Sequence, residues 1–208
     1  MIAYINSIRK KLYINNVDNL SLVCSNADKL ISKNIIDEYI IVDQYAEEAL
    51  KFFEIDIDSF NGGYYYSISE LVSIYLDKSD YLVHFSSDSD MVTKYDWISD
   101  SIKLMRENNK IAVTNPKWNI NWNYIDSYFE DNLFYYQNGT FSDQCYMIKL
   151  EEFKNKIYNE YHISSNAYPP YGGELFEKRV NSYLMNNERI RATSKNAVYD
   201  HKKIIDNG

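Results

Sequence analysis

Two aspartates, Asp88 and Asp90, stand one residue apart shortly after an apolar stretch, Tyr81–Phe85. Carboxylate oxygens are ligands that Mg²⁺ and Mn²⁺ prefer, and these ions keep coordination positions open for phosphate oxygens. If the chain turns after the apolar stretch, both carboxylates can converge on one divalent cation. A cation held in this way can bridge a diphosphate and neutralise the charge that develops on a leaving nucleotide. A solvated acidic turn at the end of a strand is the plain structural alternative.

Two other known motifs share these letters. With Asp88 as the first residue of an EF-hand calcium loop, Thr93 would take the Gly position and Ser99 the position of the bidentate Glu, so this motif is excluded. The segment from Asp88 to Val92 is also similar to the nucleophile motif of haloacid dehalogenase-type phosphatases, Asp-x-Asp-x-Thr/Val after a strand. That motif normally opens its domain, whereas strands are predicted before Tyr81 here. A phosphatase that uses Asp88 as its nucleophile is kept as the alternative function.

The elements that would position these aspartates alternate between strands and helices. Continuous apolar runs are typical of strands buried on both faces, and apolar residues at helical spacing predict helices. Strands are predicted at 2–5, 20–24, 39–42, 81–85, 111–113, 145–148 and 189–193, and helices at 45–53, 67–76, 96–107 and 174–185. This order predicts an α/β fold with a mainly parallel central sheet and helices on both faces. Ligands of such sheets bind beyond the carboxyl ends of the strands, which directs attention to Asp43 as well.

Composition and charge exclude several classes of protein. The 208 residues contain no internal repeat or Gly/Ser linker, which predicts one globular domain over residues 1–208. A net charge of −8 argues against nucleic acid or an anionic membrane as a partner. No run approaches the roughly 18 apolar residues of a membrane span, and the N-terminus lacks a signal-peptide pattern. Cys24 and Cys145 form no zinc pattern and are expected as buried free thiols. These features predict a cytoplasmic protein without a transmembrane segment.

Three segments together resemble one enzyme family. The stretch YLVHFSSDSDMV, residues 81–92, resembles the Asp-x-Asp segment of GT-A-fold glycosyltransferases of the broad family-2 type. Residues 141–148 resemble the strand that leads to the acceptor side in these enzymes, and residues 171–177 resemble the segment where an acidic residue opens a helix below the acceptor site. His201 stands where many of them have a final metal-binding histidine. The resemblance covers roughly residues 1–205, although the N-terminal Pro-x-(Tyr/Phe)-Asn signature of the family is absent.

The resemblance implies a fold and an activity. The fold is a single GT-A (Rossmann-like) domain, with a nucleotide-sugar-binding half at 1–115 and an acceptor-side half with a C-terminal tail at 116–208. The activity is a hexosyltransferase reaction that depends on Mn²⁺ or Mg²⁺. A sugar would move from a nucleotide-sugar donor, a UDP-sugar, to a carbohydrate or another hydroxyl acceptor, with inversion of the anomeric centre. A degenerate carbohydrate- or nucleotide-binding relative without catalysis, and association into a homo-oligomer, are both left open by the sequence.

The same resemblance assigns residues to the metal and the donor. Asp90 would ligate the metal directly, and Asp88 would reach it through water or hold the donor ribose. Ser89, between them, would lie against the donor. His201 would complete the metal shell through a neutral imidazole nitrogen. Asp43 would contact the uracil or ribose of the donor, although a turn residue after a strand is the plain reading of this position.

Two acidic residues are candidates for the general base that takes the proton of the acceptor hydroxyl. Glu174 is the first candidate, although acidic residues are also favoured in the first turn of a helix. Asp143 is the alternative. Trp118, together with Trp122 and Tyr124, could stack on an acceptor sugar or simply fill a core. The sequence favours His84, inside the predicted strand, as a packed core residue rather than a ligand.

Overall fold

The computed structural model describes residues 8–119 and 129–201. The described chain forms two compact units. Unit 1 comprises residues 8–77 and 169–176, and unit 2 comprises residues 78–168, apart from 120–128, and 177–201. The strand predicted at 2–5 lies outside the described residues. The assignment of one domain over 1–208, with halves 1–115 and 116–208, stays a prediction.

Unit 1 pairs two short strands in parallel through a helical crossover. Its helices and strands are β1 (Lys11–Ile14), α1 (Leu20–Ser32), β2 (Glu38–Ile41), α2 (Ala46–Phe53) and α3 (Ile68–Leu76), with 3₁₀ helices at Val42–Gln44, Ile57–Tyr66 and Pro170–Gly172. The register runs from Lys11 opposite Glu38 to Ile14 opposite Ile41. Helices α2 and α3 bring fully buried apolar side chains to the core of this unit: Ala49, Phe53, Ile68, Leu71, Val72 and Ile74. The predictions of β2, α2 and α3 are therefore confirmed.

The strand predicted at 20–24 is wrong, because these residues form the first turn and a half of helix α1. Asn19 begins the helix, and its side-chain oxygen accepts a hydrogen bond from Leu22 N at 3.0 Å. An Asn at this position satisfies a backbone donor that the helix itself leaves unpaired. A short apolar run fits a helix and a strand equally well, so this cap was the informative signal.

Unit 2 is built on a seven-stranded mixed sheet. Its strands are β3 (Tyr81–Phe85), β4 (Ser89–Met91), β5 (Ile111–Trp118), β6 (Phe129–Glu130), β7 (Phe134–Asn138), β8 (Cys145–Lys149) and β9 (Ile190–His201). Its helices are α4 (Trp97–Glu107), α5 (Leu150–Phe153), nearly all of α6 (Phe176–Asn186), and a 3₁₀ helix at Ile163–Ala167. The strand order is β3-β8-β5-β9-β7-β6, and β4 pairs with β9. The predicted α/β class is thus confirmed.

The mainly parallel sheet expected from the sequence is not found in unit 2. Only β5 and β9 pair in parallel, and the other pairings are antiparallel. Continuous apolar strands indicate burial on both faces, and antiparallel strands covered on both faces satisfy that pattern equally. Burial alone therefore does not determine strand direction.

One face of this sheet carries helix α4. Asp96 begins the helix by accepting a hydrogen bond from Ser99 N at 3.1 Å. Trp97 and Met105 then pack into a buried cluster with side chains from the sheet: Ile111, Phe134, Tyr136, Cys145, Met147, Ala192, Ala197 and Tyr199. Strand β9 extends well beyond the predicted 189–193 and carries the chain to His201.

Two predictions, on membrane spans and on thiols, can be compared with the described residues. Within 8–119 and 129–201, no helix is long and apolar enough to cross a membrane. Cys145 is a buried free thiol, as predicted, whereas Cys24 is free but only half-buried on α1. The cytoplasmic location stays a prediction.

Candidate active site

The antiparallel pairing of β3 and β8 defines one edge of the unit 2 sheet. Phe85, the last residue of β3, stands opposite Cys145, the first residue of β8. The ladder continues by one bond, since Ser86 N donates to Gln144 O at 2.7 Å. The segment that follows β3 and the segment that precedes β8 therefore lie side by side. This geometry places Asp88 and Asp143 at the same edge.

The chain turns immediately after β3, as the metal hypothesis requires. Ser89 N donates to Ser86 O at 3.1 Å and closes a four-residue turn. Ser86 Oγ donates to Asp88 Oδ1 at 2.6 Å and lies 2.7 Å from Ser89 Oγ. The hydrogen bond from Ser86 is the largest cause of a lowered pKa at Asp88, and the nearby His201 also lowers it. The Asp88 carboxylate is thereby fixed in position and kept ionised.

His201 reaches this turn through the pairing of β4 with β9. Ser89 stands opposite His201 in the register, and His201 Nδ1 lies 3.2 Å from Asp88 Oδ2. Both side chains remain partly exposed, at 34% for His201 and 44% for Asp88. A ligand arriving from solvent can therefore reach the pair.

Asp143 completes an acidic and imidazole cluster at this edge. Its side chain interacts electrostatically with Asp88 and His201. Burial is the main cause that raises the pKa of Asp143 to about 6, and the negative charge of Asp88 raises it further. Hydrogen bonding to its own backbone and the charge of His201 act in the opposite direction. We name Asp88, Asp143 and His201 the edge cluster.

Asp90 occupies strand β4 rather than the turn. It is exposed and stands opposite Asp200 of β9 in the register. Two carboxylates directly opposite each other on paired strands repel, and a cation between them would relieve that repulsion. Asp90 thus lies close in sequence to the edge cluster but is positioned by a different element.

The ring of Trp118 lies beside the edge cluster, whereas the ring of His84 packs elsewhere. Trp118, at the end of β5, lies 5.9 Å from the ring of His201 and nearly perpendicular to it. The indole is 36% exposed, so it combines an apolar surface with access to solvent. His84 instead packs in parallel on Tyr146 at 4.9 Å, and burial lowers its pKa to about 4. This agrees with the prediction of a packed histidine. Trp122 and Tyr124 lie outside the described residues.

Asp43 and Glu174, the remaining site candidates, belong to unit 1. Asp43 lies in the 3₁₀ helix that follows β2 and is exposed, and its charge helps burial to raise the pKa of Tyr64. Glu174 is half-buried, and its N–H donates to Ser59 O at 2.8 Å. Helix α6 begins at Phe176 rather than at 174, so Glu174 precedes the helix. The alternative explanation, that the helix dipole favours an acidic residue in the first turn, is weaker for Glu174 for that reason.

The edge cluster can be tested against the needs of a divalent cation. Within the described ranges, no group of three or more His, Cys, Asp or Glu is arranged to hold a metal ion. Asp88 and His201 alone supply one carboxylate and one imidazole. Adjacent ligands of an octahedral ion with bonds near 2.1 Å are about 3.0 Å apart, close to the 3.2 Å between Oδ2 and Nδ1. The contact itself is that of an ion pair or hydrogen bond between the two side chains, and the same separation would suit two adjacent ligands of an ion whose other ligands are water and phosphate.

Ser86 and Gln144 were not among the site residues predicted from the sequence. Ser86 donates a hydrogen bond to Asp88. Gln144 lies next to Ser86, with its Oε1 at 3.5 Å from Ser86 Oγ. The available signal was a hydroxyl residue two positions before an aspartate in a predicted turn. Comparisons with models of protein families, with curated proteins and with solved structures found no match.

Proposed function

We propose that the protein is a metal-dependent glycosyltransferase that moves a sugar from a UDP-sugar to a hydroxyl acceptor. The observation that carries the proposal is the contact between Asp88 and His201. The family resemblance places both residues near the metal, Asp88 through water or at the donor ribose and His201 as a ligand. They are far apart in the sequence, and they lie 3.2 Å apart in the fold. Asp143, selected as a candidate base, belongs to the same edge cluster.

Asp88 and His201 would hold Mn²⁺ or Mg²⁺, which suits a site with carboxylate, imidazole and phosphate ligands. When bound, the ion neutralises the negative charge that develops on the leaving diphosphate. Ser86 keeps the Asp88 carboxylate ionised and oriented. Asp90, exposed on β4, would reach the ion or its water shell from the rim, and Ser89 would contact the donor.

The assignment of a GT-A, Rossmann-like fold is part of the proposal. It is supported by the parallel pair β1–β2 with a helical crossover in unit 1. Asp43 follows the carboxyl end of β2, which is where sheets of this kind bind ligands. Asp43 is accordingly proposed to bind the uracil or ribose of the donor.

The acceptor hydroxyl would attack the anomeric carbon, lose its proton to a carboxylate and displace UDP, with inversion. Asp143 is supported as the base by its position in the edge cluster. Glu174, which precedes helix α6, stays the alternative. Asp143→Asn and Glu174→Gln separate the two, since only loss of the base should remove turnover while donor binding persists.

The direct test is a screen of nucleotide-sugar hydrolysis with Mn²⁺, because slow transfer to water reveals the donor without knowledge of the acceptor. We expect hydrolysis of a UDP-sugar that Asp88→Asn and His201→Gln abolish. Asp58→Asn, an exposed aspartate in unit 1, is the matched control and should retain activity.

Two outcomes would contradict the proposal. Cleavage of aryl phosphates that Asp88→Asn abolishes would indicate a phosphatase with Asp88 as its nucleophile. Metal-dependent binding of UDP without turnover of any nucleotide-sugar would indicate a binding protein without catalysis.

A further inference from the structure

A cavity lies at the end of strands β3 and β8 that is opposite the edge cluster. Its volume is about 470 Å³, in the range that small-molecule sites occupy. All of its lining belongs to unit 2: Lys78, Ser79, Asp80, Tyr81, Arg106, Lys149, Leu150, Glu151 and Lys154. Strand β3 starts at this cavity and ends before the Asp88 turn, a separation of about 14 Å for five residues of strand. The cavity is thus distinct from the edge cluster.

The lining is positively charged although the chain as a whole is acidic. Four basic residues face two acidic ones, Asp80 and Glu151, which leaves two positive charges in excess. The whole chain has a net charge of −8. A concave site with low-dielectric walls focuses the field of its charges, so this cavity attracts anions even on an acidic protein.

Regular elements position two of the four basic residues, Lys149 and Arg106. Tyr81 and Lys149 stand opposite each other in the β3–β8 register, and Leu150 N extends the ladder by donating to Asp80 O at 3.0 Å. Arg106 comes from the last turn of α4, the helix that packs on the same face as Tyr81. Lys149 therefore comes from a strand and Arg106 from a helix, whereas Lys78 precedes β3 and Lys154 follows α5.

The surroundings of Lys149 favour an anion. Partial burial is the main cause that lowers its pKa, and the positive charge of Arg189 lowers it further, against the opposing effect of Glu152. An anionic group beside Lys149 would offset both the burial and the repulsion. Arg106 adds a planar guanidinium, which binds phosphate oxygens through two parallel hydrogen bonds.

From this arrangement we propose that the cavity is a second binding site, which takes the phosphate group of a small phosphorylated ligand. Arg106, Lys149 and Lys78 bind the phosphate oxygens, and Tyr81 supplies an apolar wall for the rest of the ligand. The site is independent of the proposed transferase chemistry, because none of its residues belongs to the edge cluster.

The test is calorimetric titration of the full chain with inorganic pyrophosphate in the absence of divalent cations. Without metal, the acidic edge cluster repels this probe, so binding reports on the basic cavity. We expect a Kd that weakens about tenfold in Arg106→Gln, Lys149→Gln or Lys78→Gln, the loss of one charge-assisted contact. Lys103→Gln removes the same charge from an exposed position on the same helix and should bind like the original protein. Binding should also weaken with added salt.

Lys78 is exposed, so its substitution keeps the test valid if the Lys149 variant fails to fold. Equal affinity in Lys78→Gln, Arg106→Gln and Lys103→Gln would overturn the proposal. So would the absence of heat up to millimolar pyrophosphate, or binding that Asp88→Asn rather than Arg106→Gln removes.

Discussion

His201 Nδ1 lies 3.2 Å from Asp88 Oδ2 because the last described residue of β9 stands opposite Ser89 of β4. Strand β9 pairs in parallel with β5, then continues to meet the short strand that follows the Asp88 turn. The contact therefore depends on the long strand β9, which pairs with both β5 and β4. Neither residue alone forms a site, but together they offer an oxygen and a nitrogen at the spacing of adjacent metal ligands.

The first prediction concerns this pair. Asp88→Asn and His201→Gln should each weaken binding of Mn²⁺ in the presence of UDP by at least about tenfold, since each removes one ligand. The double variant should bind little worse than the weaker single variant, because two ligands of one ion act as a unit. Calorimetry on the original protein, the two single variants and the double variant measures this coupling. Fully additive losses would show that the two side chains act at separate places, and Asp58→Asn serves as the control.

A second prediction concerns the glycine that precedes Glu174. Gly173 has φ +62°, and a Cβ there would lie 2.3 Å from Ser59 O, a backbone atom. We expect Gly173→Ala to lower the free energy of unfolding by at least about 2 kcal/mol, from backbone strain and this clash. Gly62→Ala is the matched control, since its Cβ would lie 3.4 Å from Tyr171 O. Equal urea midpoints for the two variants would contradict the prediction.

Local pattern was sufficient for several elements. Strand β3 matches the predicted 81–85, and α2, α3 and α4 begin within a residue of their predicted starts. Each of these elements has either a continuous apolar run bounded by polar residues or apolar residues at helical spacing. The ends of these elements depend on residues that are neighbours in the sequence. They can therefore be predicted from the sequence alone.

Long-range pairing was not accessible from local pattern. The direction of β8 relative to β3 follows from how the sheet closes, and the expected parallel sheet was wrong in unit 2 for this reason. Strand β7 was missed although residues 133–136 form a short run of apolar and aromatic side chains. Asp88, Asp143 and His201 were predicted as site residues, but their convergence depends on strand pairings that only the structure displays.

The third prediction concerns His84, a half-buried residue whose ring stacks on Tyr146. Its pKa falls from 6.5 to about 4 on folding, so the unfolded chain binds more protons between these values. The free energy of unfolding should therefore decrease as the pH falls from 6.5 to 4, by about 3 kcal/mol from this group. Asp143 acts in the opposite direction, since its pKa is raised to about 6 in the fold and it holds its proton more tightly there.

The contribution of His84 is isolated by comparison with His84→Phe, which keeps a ring against Tyr146. Urea titrations at several pH values should give a difference in stability between the two proteins that grows by about 3 kcal/mol from pH 7 to pH 4. Parallel curves would show that His84 is protonated as readily in the folded protein as in the unfolded chain.

The fourth prediction concerns the loop that carries Asp143. Thr140 N donates to Asn181 Oδ1 at 2.7 Å, and the Arg191 guanidinium donates to Thr140 O. Tyr168 OH donates to Phe141 O at 2.6 Å. These bonds hold the backbone on both sides of residue 140, and Asp143 follows on the same segment. Its place in the edge cluster should therefore depend on groups that do not touch it.

Tyr168→Phe removes one of these bonds and keeps the ring. We expect a loss of about 1 kcal/mol in the free energy of unfolding and faster hydrogen exchange at the amides of residues 141–143. If Asp143 is the base, kcat for UDP-sugar hydrolysis should fall while KM stays unchanged, because binding of the donor does not need the base. Tyr161→Phe removes the hydroxyl of an exposed tyrosine and should change stability by less than about 0.5 kcal/mol and kcat not at all. If the Tyr168→Phe protein is less stable but has an unchanged kcat, the position of the loop that carries Asp143 does not affect turnover. That result would favour Glu174 as the base.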